Sequence, residues 1–164
     1  MLRDKSLIPL SHQHQRALAL CVRIERASPI PEADLAAWEM EVARLFEQEI
    51  KIHFTAEEEV LFPAARKFSE LVSLVDDLCA EHALLRDDCA KAERGTISES
   101  NLRSFSQRLS GHIRKEEREL FERMQQLMSP QELAGLGELL QKALKEATQS
   151  CALPNPATKL RARQ

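Results

Sequence analysis

Along most of this chain apolar residues recur at steps of three and four, the spacing that lines one face of an α-helix. Leu7, Leu10, Ala17, Cys21 and Ile24 mark a first helix over roughly 10–27. "SPIPEAD" at 28–34 breaks it, because its two prolines make continuation costly. A second helix over roughly 33–62 carries Leu35, Trp38, Val42, Leu45/Phe46, Ile50 and Val60/Leu61, and Pro63 is expected to end or kink it. Leu71, Leu74/Val75, Leu78, Leu85 and Cys89 define a third over roughly 69–92, with Gly95 as a C-terminal cap. The fourth, roughly 99–128, carries Leu102, Phe105, Leu109, Leu120, Met124 and Leu127. "SPQE" at 129–132 has the Ser, Pro and Glu of a helix start, so a fifth helix is expected to about 148. Long amphipathic helices with short connections predict an all-α fold: an antiparallel up-down four-helix bundle with an additional C-terminal helix outside it or across one end. The expected organisation is one domain over 1–149, with its core in 8–128, an accessory helix over 130–149 and a tail from 150 to 164.

The apolar seams have polar interruptions. His14 lies in the first, His53 and Glu57 in the second, His82 in the third, and His112 and Glu116 in the fourth. Each His/Glu pair is spaced i, i+4, which puts both side chains on one helix face. "HFTAEEEVLF" (53–62) and "HIRKEERELF" (112–121) also repeat H-x-x-x-E-E-x-x-L-F, so two alternate helices share a motif and the other two each add one histidine. That is the pattern of a pseudo-two-fold site fed by four helices. Burying carboxylates without compensation costs several kcal/mol each, and buried imidazoles need partners for both nitrogens. One cation, or better two, would satisfy all six side chains. The mixed set suits iron, with zinc, manganese and copper as alternatives; lacking cysteine, it does not resemble a structural zinc site. Glu58, Glu59, Glu117 and Glu119 read as a solvated face, Glu81 as a flank or as a support behind a ligand, Glu49 as an edge position and His12 as exposed.

Composition adds exclusions. The formal net charge of −3, with both signs interspersed, gives no nucleic-acid surface, although "KLRARQ" at the end is locally basic. No apolar run approaches the ~20 residues that span a bilayer, and "MLRDKSLIPL" lacks a signal-peptide core, so a cytoplasmic protein is expected. The four cysteines show no CxxC pairing, and Cys21, Cys79 and Cys89 read as reduced, buried thiols. The absence of tyrosine excludes a tyrosyl radical or a tyrosine general acid.

"LSHQHQRAL", "HFTAEEEVLFP", "EHALLR" and "HIRKEERELF" together resemble the hemerythrin-like (HHE cation-binding) family, over roughly residues 8–128. The resemblance implies a four-helix bundle around a non-haem di-iron centre. It also implies His14, His53, Glu57, His82, His112 and Glu116 as ligands, with Glu57 and Glu116 bridging two oxo- or hydroxo-linked iron ions, for which zinc or manganese can substitute. Oxygen-carrying members have a fifth histidine one turn from another on the third helix. Here the residues one turn either side of His82 are Leu78 and Arg86, so the set looks more like that of iron-sensing and bacterial members. The leading expectation is a protein that binds or senses O2, or handles peroxide or nitric oxide. The alternative is a metal-gated regulatory or iron-sensing interaction module without turnover, and a third reading is a bundle with buried polar residues and no metal. Enzymatic turnover is the weakest reading, since no side chain beyond the six is an evident acid or base. No nucleic-acid or membrane partner is expected.

Overall fold

The computed structural model describes residues 2–151, with side chains to 145. Helix α1 is Ile8–Ala27. Helix α2 runs without interruption over 32–65, and α3 is Val72–Glu93, entered through a short 3-10 turn at Ser69–Leu71. Helix α4 covers 99–127, and α5 is Pro130–Cys151. There is no strand among the described residues. The first four helices neighbour one another in the cyclic order α1, α2, α3, α4, so the bundle is the predicted up-down one. Helix α5 includes residues 150 and 151, and the rest of the expected tail, 152–164, lies outside the described residues.

The start signals work as expected. Ser129 Oγ accepts from the backbone N–H of Glu132, and Glu132 Oε2 accepts from that of Ser129 at 2.8 Å, a reciprocal cap on α5. Ser98 caps α4 by accepting from the N–H of Asn101. Gly95, at φ 66°, ends the turn after α3 in the left-handed region that favours glycine.

One expectation needs correction. Pro63 does not stop α2, which continues to Ala65. It follows a π turn at Glu57–Leu61, where the regular i, i+4 ladder is already interrupted, so its missing N–H falls where it costs little. Nor are α2 and α4 regular throughout. Helix α2 holds π turns at Phe46–Ile50 and Glu57–Leu61, and α4 holds one at Glu116–Leu120. The latter two begin at the equivalent Glu of the repeated motif, and in each that residue's carbonyl accepts from a phenylalanine N–H five positions on, Phe62 or Phe121.

The interior is two apolar cores with a polar layer between. One contains Ala17, Phe54, Leu85, Leu109 and Ile113; the other contains Leu10, Ala56, Leu78, Leu120 and Phe121. On each of the first four helices the seam passes from one core to the other at its histidine. Helix α5 packs against the 51–61 stretch of α2, and Leu136 and Leu140 complete the second core beside Leu7, Leu10 and Phe62.

That docking makes two neighbouring glycines respond oppositely. A Cβ at Gly137 would lie 2.7 Å from Ser6 Cβ and 3.0 Å from its Cα, whereas one at Gly135 meets nothing within 4 Å. Gly137→Ala is expected to cost about 1–3 kcal/mol by overpacking. Gly135→Ala is expected to gain roughly 0.5–1 kcal/mol from helix propensity. Urea titration of the two variants checks both signs; equal responses would mean α5 does not sit against Ser6.

Candidate metal centre

All six side chains singled out in the seams meet in the polar layer. His14, His53, His82 and His112 are each at most 5% exposed, and Glu57 and Glu116 are fully buried. The imidazoles form two pairs: His14 Nε2 lies 2.9 Å from His53 Nε2, and His82 Nε2 lies 3.1 Å from His112 Nε2. One pair therefore comes from the α1–α2 hairpin and the other from α3–α4.

The carboxylates span the pairs. Glu57 directs Oε1 to His53 Nε2 at 2.9 Å and Oε2 to His82 Nε2 at 3.3 Å. Glu116 directs Oε2 to His14 Nε2 at 3.1 Å and Oε1 to His112 Nε2 at 3.4 Å. None of these four oxygens has an aligned hydrogen-bond donor, although the interior of a folded protein rarely leaves such atoms unmatched. The converging donor atoms form two sets, His14/His53/Glu57/Glu116 and His82/His112/Glu57/Glu116, which share both carboxylates, and each set could hold a metal ion. Neutral imidazole nitrogens with carboxylate oxygens are donors suited to a first-row divalent metal. The orphaned oxygens and the donor chemistry both fit such ions.

Behind every ring stands an acceptor that fixes its orientation. His14 Nδ1 donates to Glu117 Oε1 at 2.7 Å and His82 Nδ1 to Glu58 Oε1 at 2.7 Å. His112 Nδ1 donates to Glu81 Oε2 and His53 Nδ1 to Gln13 Oε1, both at 2.8 Å. With Nδ1–H so engaged, the Nε2 lone pairs face inward, as metal ligation requires. The three carboxylates are in turn paired, Glu117 with Arg3 at 2.6 Å, Glu58 with Arg86 at 2.7 Å and Glu81 with Lys115. This corrects the assignment of Glu58 and Glu117 to a solvated face, and for Glu81 it selects the supporting role over the flank. Glu59, Glu119 and His12 are exposed as expected, and Glu49 is an edge residue bonded to Arg16. Gln13 was not singled out by the sequence at all. Cys21 and Cys89 are buried, whereas Cys79 is only partly so; all three are free thiols.

The electrostatics show how protein groups alone bear this crowding. Burial opposes charge on His14, but Glu116 and Glu117 against the ring raise its pKa to about 10. Burial, then the positive His14 beside it, hold His53 down at about 3. Burial and the negative Glu116 push Glu57 up to about 7; Glu116 itself is held low, since His112 and His14 outweigh its burial. Without metal, the carboxylates thus favour the charged form of both His14 and His112. Because the His14 pKa is raised, its stabilisation is full below the unfolded value near 6.5 and is lost as pH rises towards 10. Glu57 has the same sign, but its window, from 4.5 to about 7, is over by neutrality. Chelated protein is therefore expected to lose stability between pH 7 and 9, by up to about 1.4 kcal/mol per pH unit for one group. Metal-loaded protein, in which His14 must be neutral to ligate, is expected to vary less. Thermal melts at pH 7, 8 and 9 with and without chelator measure the difference.

A small cavity opens on the first-core side of the layer. It offers about 20 Å³ and is lined by Gln13, His14, Glu49, His53, His112 and apolar residues including Leu45, Ile50 and Leu109. It does not reach His82, whose ring is covered by Phe54 stacked 3.7 Å away.

The hemerythrin HHE cation binding domain matches residues 9–124, a span holding all six converging side chains. This chain belongs to the hemerythrin HHE family. Neither a curated protein nor a solved structure matches it. The hemerythrin domain implies cation binding, and the buried His/Glu cluster is compatible with it. No helix among the described residues of this hemerythrin-like chain is long and apolar enough to cross a membrane.

Proposed function

We propose that this chain is a non-haem di-iron protein that binds or senses O2, or takes nitric oxide or peroxide. His14 and His53 would hold one iron, His82 and His112 the other, and Glu57 and Glu116 would bridge them. The observation that carries this reading is the division of each carboxylate, one oxygen towards each histidine pair, which is how a bridge between two ions is built. Two ferrous ions would supply two electrons to a bound oxidant. The chain's own part is to orient the imidazoles through their Nδ1 partners and to keep bulk water out. The cavity beside His14 and His53 supports a small ligand: its size suits one water-sized or diatomic molecule, and its wall is largely apolar. The domain proposed to do this is 1–149, and the setting proposed is the cytoplasm, where thiols such as Cys21 and Cys89 stay reduced.

Metal analysis with an absorption spectrum tests the proposal. About two irons per chain and charge-transfer bands that change with O2, azide or nitric oxide are expected. Iron-free, colourless protein from iron-replete cells would refute it.

A second reading, an iron-sensing module without turnover, is favoured by one observation: the cluster draws on all four bundle helices. On that reading iron acts by tying the bundle, and chelation would change an oligomer or a partner contact while no substrate is consumed.

A further inference from the structure

The repeat that relates the two hairpins also relates what stands behind each imidazole. Glu58 and Glu117 each directly follow the bridging glutamate of their motif, and each reaches across to the lone histidine of the other hairpin, His82 or His14. Gln13 and Glu81 each directly precede a lone histidine, and each backs the motif histidine within its own hairpin, His53 or His112. Helix position, partner atom and distance agree in both comparisons. The chemistry agrees only in the first: in the second a neutral amide stands where the other half has a carboxylate paired with Lys115.

A carboxylate accepting Nδ1–H draws the proton towards itself and makes the opposite Nε2 a stronger donor to metal; an amide oxygen does so less, because it carries no net charge. The set His82/His112 has two imidazoles backed by carboxylates. The set His14/His53 has one, and both of its histidines line the cavity, which reaches only His112 of the other set.

We propose that Gln13 makes the two metal positions unequal, so that the ion at His14 and His53 is held more weakly, binds second and leaves first. This rests on the two-ion reading above. The weaker position is then the one with both histidines on the cavity wall, and Gln13 is a positioning residue that tunes it through His53.

Titration of the chelated full chain with Co2+, followed by its visible absorption and by competition with a chelator of known affinity, tests the proposal. Wild type is expected to bind two ions in steps separated by about tenfold or more in affinity, the low end of what such partners contribute. Gln13→Glu is expected to tighten the weaker step by about tenfold and leave the tighter one in place. Glu81→Gln is expected to loosen the tighter step towards the weaker. A merely structural role would move the melting temperature of the chelated variants and both steps together. Two equal steps in wild type, or a Gln13→Glu protein whose weaker step does not tighten, would overturn the inference and leave the two-ion reading intact. Failure to bind Co2+ at all would remove both.

Discussion

Stripping metal from the protein is expected to lower its melting temperature by roughly 10 °C or more. The expectation follows from where the candidate ligands lie. His14, His53 with Glu57, His82, and His112 with Glu116 come from four different helices, so ions bound among them act as cross-links that the unfolded chain cannot form. A ligand that binds only the folded state adds about 4 kcal/mol at a thousandfold excess over its Kd. A chain of this size loses about 2–4 °C per kcal/mol, so even one such ion accounts for the figure. Calorimetry or circular dichroism before and after chelation, followed by readdition of Fe2+ under anaerobic conditions, measures it. An unchanged melting temperature after complete metal removal would mean that the polar layer is held by its own hydrogen bonds and protons.

Replacing one shared carboxylate should be worse for metal than replacing one imidazole. Glu57→Leu removes a group common to both donor sets, so metal content is expected to fall from about two ions towards zero. His112→Ala removes a group belonging to one set only, and about one ion is expected to remain. Leucine is about one methylene larger than glutamate, and removing one member of a buried ionic cluster while its partners His53 and His82 stay buried costs about 3–5 kcal/mol. Chelated Glu57→Leu is therefore expected to melt below chelated wild type, and circular dichroism at a temperature well below both transitions separates loss of ligation from loss of folding. Metal analysis of the two purified variants decides the matter; an equal loss in both would argue against a bridging role for Glu57.

Most of the bundle could be read from periodicity, because seam residues such as Leu10, Val42, Leu78 and Leu109 follow the helical step and are buried as that step requires. The π turns could not be read as such, yet they left a trace. The seam of α2 is ambiguous at Leu45/Phe46 and again at Val60/Leu61, and each ambiguity falls at the edge of or inside a stretch where the ladder widens by one residue. The six central residues were legible because a histidine or glutamate in an apolar stripe is conspicuous. Of their outer partners, Glu81 was legible only as one of two readings, and Glu58 and Glu117 were not legible, because they sit among charges that look like ordinary solvated helix surface. The available signal was the second Glu of H-x-x-x-E-E, present at the same offset in both copies. Gln13 had no such signal. Only the distance to His53, across two helices, reveals it.

The division of the ligands between hairpins has a mechanical consequence. Each imidazole pair belongs to one hairpin, while Glu57 and Glu116 cross from one hairpin to the other. On the two-ion reading, a force that pulls α1–α2 away from α3–α4 must rupture coordination bonds in shear, whereas a force that peels α1 from α2 strains chiefly apolar contacts and one imidazole. The loaded molecule should therefore be anisotropic under load, stiff along the seam between its halves and softer within each half. Unloading it should erase most of that difference.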